Sequence, residues 1–433
     1  MDRLPFEVMQ MITSHCTRLS SLAAVSRRWN DAVEPHTLAT IRIGQFPNEL
    51  EMFERLFSVP GRRRLLSQLT FVLQSPYMGA DPPTGMYVGL LQLLSCLEHW
   101  EEESNVGLGF DIIRRNYSSD DSEVTLDWCF GCGIDDPYDL LSLSFDLTWT
   151  PLPTLPTLKA VTSLTDNGNS LDPLTLGAIA EAFPRLKNIS TCYNTRSCLG
   201  GGHRESLAQV FLEVPFAHLE SFTLETIIRH SPASLPNEIM FSKAMRRIAQ
   251  LPLLQKFCLK GLHILLPDFF SISDGSNWPS LRLMEIEASL DYFAPLSLEK
   301  SPHGFLTTAG IETSMFDPFI LAMTKAVSAM PALQRLTFSM SRYCGDRPPV
   351  FSAEYLGPQV AGTIYRLYGK DLEEFEEKNK MHSRWELCFS PRMLFPVPQT
   401  EPKRRIWMAP EAIKDVWEAT VGERVYLGGD TWQ

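Results

Sequence analysis

Between residues 156 and 340 one short apolar pattern recurs, and it limits what the chain can fold into. Its form is P-x-L-x-x-h-x-h, with h usually apolar: PTLKAVTS from Pro156, PRLKNIST from Pro184, PLLQKFCL from Pro252, PSLRLMEI from Pro279 and PALQRLTF from Pro331. A sixth copy, HLESFTL, lacks the adjacent proline but keeps Leu219, Phe222 and Leu224. The lead leucines, Leu158, Leu186, Leu219, Leu254, Leu281 and Leu333, are 28, 33, 35, 27 and 52 residues apart. Apolar residues at alternate positions predict strands with one face inward and one exposed. Stretches of helical character precede several copies, among them DPLTLGAIAEAF, NEIMFSKAMRRIAQ and DPFILAMTKAVSAM. Such a period suits one strand and one helix per repeat, stacked so that each repeat covers its neighbour.

These copies resemble a divergent leucine-rich repeat. Their spacing is uneven, and most lack asparagine at the usual ladder position, so the resemblance implies an irregular α/β solenoid over residues 151–345. A non-repetitive α/β domain is the alternative. By alternation, the exposed face of such a sheet carries Ser221, Thr223 and Glu225; Lys256, Cys258 and Lys260; Glu285 and Glu287; and Arg335, Thr337 and Ser339. Of these, Thr223, Glu225, Lys256, Lys260, Glu285, Glu287, Arg335 and Thr337 are the candidate contacts for a client protein. Residues 346–433 hold no copy; RWELCFSP reads as a strand and PEAIKDVWEATVG as a helix with Ile413, Val416 and Trp417 inward. A polar-faced cap on the solenoid is the expected role of this region.

Ahead of the repeats, residues 41–150 read as an α/β connecting region. TIRI is a short strand, and FPNELEMFERLFS a helix with Leu50, Phe53, Leu56 and Phe57 on one face. A basic turn then leads to a strand around Leu69–Leu73, and residues 85–100 form a helix through Val88, Leu91, Leu94 and Leu97. From Glu98 to Asp139, 12 Asp/Glu stand against Arg114 and Arg115, a net of −10 within a whole-chain charge of −12. That acidic segment, 98–139, is either a solubilising loop or a docking surface for a basic client.

In the first forty residues, Pro5 and Glu7 mark a helix start, with Leu4, Val8, Met11 and Ile12 on one stripe. Leu19 and Leu22 follow, then Val25, Trp29, Ala32 and Val33, with Pro35 as the expected stop. Helices this short are not expected to bury a tryptophan by themselves, so Trp29 should need either the rest of the chain or another protein.

LPFEVMQMI followed by L-x-x-L-x-x-VSRRW-x-x-x-V resembles an F-box, the adaptor-docking motif of SCF-type ubiquitin ligases. The resemblance covers residues 1–40, roughly one tenth of the chain. Cys16 stands where that family usually has leucine, and the TRLSS link is short. The resemblance implies three helices inserted into a Skp-family adaptor, and through it a cullin-RING complex. Leu4, Pro5, Val8, Ile12, Leu22, Val25 and Trp29 would be the docking contacts or their support, with Trp29 as a buried anchor. The bland alternative is a helical cap on the downstream domain. The expected fold is thus α/β: a short N-terminal three-helix F-box, then an irregular leucine-rich-repeat-like α/β solenoid.

No Walker loop, G-x-S-x-G elbow, H-E-x-x-H or G-x-G-x-x-G fingerprint occurs, so no catalytic residue and no cofactor is expected. CFGC at Cys129–Cys132 could reach zinc only with Cys192, Cys198 and His203, too loosely spaced for the usual paired ligands, and no metal is expected. Asp120–Asp121 and Asp135–Asp136 read as solvated loops, and Arg62–Arg64 and Lys403–Arg405 as solvated faces or turn ends. The acidic balance argues against nucleic acid as a partner. No apolar run reaches the ~18 residues of a membrane span, the N-terminus is not a signal peptide, and nine scattered cysteines suit reduced thiols. The expectation is a cytoplasmic and/or nuclear substrate receptor that holds an unknown client for ubiquitination. A scaffold that binds the adaptor without promoting degradation, or a cryptic enzyme, would be the alternatives.

Overall fold

All six lead leucines are buried, at 5% exposure or less, and a strand begins two or three residues after each. The computed structural model describes residues 4–16, 19–74, 84–100, 107–115, 155–167, 171, 173–194, 202–227, 235–263, 266–272, 277–289, 313–341, 351–356, 384–389 and 426–428, with helical positions 412, 413, 415, 416 and 419. The protein is α/β, and its chain divides into two units: Met1–Glu123 with Leu147–Thr191, and Val124–Asp146 with Cys192–Gln433.

The first unit begins with α1 (Phe6–His15), α2 (Leu19–Ala23) and α3 (Arg27–Leu38), followed by β1 (Thr40–Gly44), α4 (Pro47–Leu56), α5 (Pro60–Arg63) and β2 (Gln68–Gln74). Then come α6 (Thr84–Glu98), β3 (Leu108–Arg115), β4 (Val161–Asn167), α7 (Pro173–Ala182) and β5 (Asn188–Asn194). Strands β1 to β5 pair in chain order, all parallel. Two rows of side chains cross the buried face: Ile41, Leu69, Phe110, Leu164 and Ile189, then Ile43, Phe71, Ile112, Asp166 and Thr191. The second row ends on two polar residues, at 0% and 2% exposure, where later copies carry Leu, Ile or Phe.

Two elements depart from expectation in an instructive way. In the first repeat copy, Val161 and Leu164 are the buried apolar strand residues, three apart rather than two, because the β3–β4 register shifts between Leu108 and Gly109. The extra residue returns Leu164 to register with Ile189. On α6 the buried stripe is Leu90, Leu93, Leu94 and Leu97 with Trp100 after it, while the expected Val88 is 50% exposed. Gly89 explains the rotation: a Cβ there would sit 2.8 Å from the Gln45 carbonyl oxygen, so glycine lets that face approach the backbone.

In the second unit, α8 (Gly202–Glu213), β6 (Ser221–Ile227), α9 (Leu235–Ala249), β7 (Lys256–His263), β8 (Leu283–Ser289), α10 (Thr313–Ala326) and β9 (Arg335–Ser341) follow one another. A 3-10 turn at Pro267–Phe270 stands where a helix would link β7 to β8. Strands β6 to β9 are parallel and pair in chain order. β10 (Phe351–Leu356) and β11 (Arg384–Phe389) then add antiparallel, and β12 (Tyr426–Gly428) parallel to β11. The buried rows are Phe222, Phe257, Met284 and Leu336, then Leu224, Leu259, Ile286 and Phe338, each at 0% exposure. The connecting segments cover this face through touching rings: Phe211 of α8 on Phe222, Phe269 of the 3-10 turn on Phe257, and Phe319 of α10 on Phe338. Ile413 is buried at a helical position, while Trp417 lies outside the described residues.

Truncating a lead leucine leaves a cavity beneath a strand, so Leu254→Ala should cost about 2–5 kcal/mol in a urea titration. Thr337→Ala, on the opposite face, should stay within about 0.5 kcal/mol of wild type in the same titration.

Candidate docking surfaces

The N-terminal helices meet the expectation only in part. Pro5 caps α1 rather than joining it, with a non-helical ψ of 147°, while its carbonyl already accepts the Met9 N–H at 3.1 Å. α3 opens on Ser26, whose hydroxyl accepts the Trp29 N–H at 3.4 Å. It does not stop at Pro35 but runs to Leu38. Pro35 donates no hydrogen bond, yet burial of Leu38 and a side-chain bond from Thr37 to the Val33 carbonyl at 3.3 Å sustain the last turn.

Trp29 does not need an outside surface for burial. It is 2% exposed, packed with Met9 and Ala32, and enclosed by Leu4, Phe6, Ile12 and Leu22. The expectation failed because the buried side of α1 is Met9 and Thr13 rather than the Val8–Met11 side; Met11 is 59% exposed. Its indole Nε1 has no hydrogen-bond partner among the described residues. Of the other candidate docking residues, Leu4, Val8, Ile12 and Leu22 are half-buried and Pro5 is exposed. Val25, expected to share the Trp29 stripe, is 51% exposed. Phe6, Met9 and Thr13 were missed; their i, i+3 and i+7 spacing was the available signal.

These helices are joined to the first sheet. Only Ala39 separates α3 from β1. Arg62 Nη2 reaches Glu34 Oε1 at 2.6 Å, and Arg63 Nε donates to the Phe57 carbonyl at 2.8 Å while its guanidinium lies 5.6 Å from the Trp100 ring centre. Of the two expected readings, solvated face or turn end, the second holds: Arg62 and Arg63 close α5 as half-buried anchors, and Arg64 alone of the three is exposed.

The second candidate surface is the side of β6–β9 opposite the apolar rows. Lys256, Lys260, Glu285 and Arg335 are exposed there, and Thr223, Glu225, Glu287 and Thr337 half-buried. All eight expected contacts thus avoid the core, as strand alternation requires. Cys258 is the correction: it is 1% exposed. Its thiol donates to Glu285 Oε2 at 2.9 Å. Burial first, then the Glu285 hydrogen bond and charge, push this thiol up to about 12. Cys96, on α6, is raised to about 11, again mainly by burial.

Cys129, Cys132, Cys198, the paired aspartates and Lys403–Arg405 lie outside the described residues, as does most of the acidic segment. Among the described residues no group of three or more His, Cys, Asp and Glu could hold a metal ion, and no helix is long and apolar enough to cross a membrane. No protein-family model matches the chain, and no curated protein matches it.

Trp29→Ala should lose about 3–5 kcal/mol of stability, measured by denaturation of the full chain, because the indole fills an internal core. The Cys258 thiol, with its folded pKa raised, stabilises the fold fully below its ordinary value of 9.0 and progressively less as pH rises toward about 12. Glu285→Gln should therefore accelerate alkylation of Cys258 by iodoacetamide at alkaline pH, read by peptide mass spectrometry.

Proposed function

We propose that this chain is the substrate-recognition subunit of an SCF-type ubiquitin ligase. In this reading α1–α3 are an F-box that docks a Skp-family adaptor, and the repeats form an irregular leucine-rich-repeat-like solenoid whose exposed sheet face binds a client. The observation that carries it is the pairing of a self-buried Met9–Trp29–Ala32 interior with exposed Pro5 and Val25, both within the motif that resembles an F-box. Trp29 becomes internal support, and the adaptor contacts shift to Pro5, Val25 and the half-buried Leu4, Val8, Ile12 and Leu22. The ligase mechanism needs no catalytic group from this chain; holding a client near the ubiquitin-loading machinery raises its effective concentration there.

A second reading is favoured by the Glu34–Arg62 ion pair and by the burial of Trp29 within its own helices. On that reading α1–α3 are a structural cap on the first sheet with no adaptor to meet.

Capture by purified Skp-type adaptor separates the two. The full chain should be captured, and Pro5→Asp with Val25→Asp should abolish capture while keeping the wild-type melting temperature to within a few degrees, since both side chains are exposed. Failure of the folded wild-type chain to be captured would leave the cap reading. Retention by the double variant would move the docking contacts elsewhere.

A further inference from the structure

Charge on the exposed face of the second unit is sorted along the strands. Lys256 of β7 and Arg335 of β9 occupy one register row, with Leu283 of β8 between them. Arg282 stands immediately before Leu283. Lys256, Arg282 and Arg335 are exposed, and Leu283 is half-buried on the outward side. Neighbouring strands lie about 4.8 Å apart, so the backbone positions of this row span about 10 Å along the N-terminal rim of the sheet.

The rim is held by the main chain. Arg282 N–H donates to the Gln255 carbonyl at 2.8 Å, and the Arg282 carbonyl accepts from Gln334 N–H at 2.8 Å and Arg335 N–H at 3.0 Å. One carboxylate, the half-buried Glu220, stands at the β6 end of this rim, its carbonyl accepting from Gln255 N–H at 2.8 Å and Lys256 N–H at 3.1 Å. The others lie farther along the strands: Glu285 opposite Cys258 in the next row, Glu287 beyond it, and Glu225 level with Lys260. An anionic ligand is therefore attracted to the β7–β9 part of the rim, where three cations outnumber the one carboxylate at its β6 end, and repelled from the β8 carboxylates.

We propose that Lys256, Arg282 and Arg335, grouped around Leu283, dock an acidic segment of a client protein. Its Asp or Glu side chains meet the three cations, and an apolar side chain between them covers Leu283. This inference rests on the receptor reading and supplies the client's chemistry. The occupant follows from charge complementarity: the rim offers three cations around one apolar residue, on a protein that is acidic as a whole. A basic segment would meet like charge at each of these positions.

The test is fluorescence anisotropy with the full chain and a fluorescein-labelled Glu-Glu-Leu-Glu-Glu peptide. Saturable binding is expected, weakening as salt rises from about 50 to about 500 mM because exposed charges are screened. Lys256→Glu with Arg335→Glu should weaken it at least tenfold, the neutral pair Lys256→Gln with Arg335→Gln less, and Arg64→Glu on the first unit not at all. Circular dichroism matching wild type would show that the variants are folded. Absence of saturable binding, equal binding by the charge-reversed variant, or equal binding of a Lys-Lys-Leu-Lys-Lys peptide would overturn the proposal. Adaptor capture by the same charge-reversed variant separates the two readings. Peptide failure with capture intact removes the acidic client alone, whereas failure of wild-type capture removes the receptor and leaves the peptide result to decide the rim.

Discussion

In the second unit, the interaction on which the rest depends is the stacking of one repeat's apolar row on the next. Phe222 lies against Phe257 with ring centres 5.6 Å apart, and the contact continues through Phe269, Phe270 and Phe319 to Phe338. A single strand–helix repeat cannot enclose such rings, so each becomes stable only against its neighbours. Because these side chains leave the sheet on one side, the intervening ones must leave on the other. The exposed face is thus a by-product of core packing, and its composition is free to serve recognition.

The first unit uses the same geometry with a different ending. Its second row terminates in Asp166 and Thr191, two buried polar side chains where an aliphatic ladder would otherwise continue. Its N-terminal helices likewise form a small core of their own and then share hydrogen bonds and an ion pair with the following segment. Ion pairs near the surface contribute at most about 1 kcal/mol, so the half-buried Glu34–Arg62 pair orients α3 more than it stabilises the fold. Burial of Leu38, Ile43 and Phe53 does the larger part.

Much of the strand pattern was legible because alternation after a lead leucine is a local signal. Strands at all six copies, and the outward placement of Lys256, Glu285 and Arg335, could be read from it. What escaped depended on contacts distant in sequence. β3 sits within an acidic stretch, where Asp111 and Arg114 obscure the pattern that pairing with β2 and β4 imposes. The face of α6 was set by the approach of Gly89 to Gln45, and Cys258 was covered by an acidic neighbour from another strand. Trp29 escaped for the same reason: the helix that encloses it is twenty residues away and rotated from the stripe its sequence suggested.

The sequential strand order has a consequence for how the protein is made. In β1 to β5, and again in β6 to β9, each strand's hydrogen-bonding partner is the strand synthesised just before it. A chain leaving the ribosome can therefore extend each sheet one strand at a time, without waiting for a distant segment to return. During that growth one edge is always unpaired, and an open edge is where β-sheets join to other chains. In the second unit the antiparallel pairing of β10 with β9 and β11 breaks the parallel growth pattern, so the last strands to emerge change the edge that earlier ones left open.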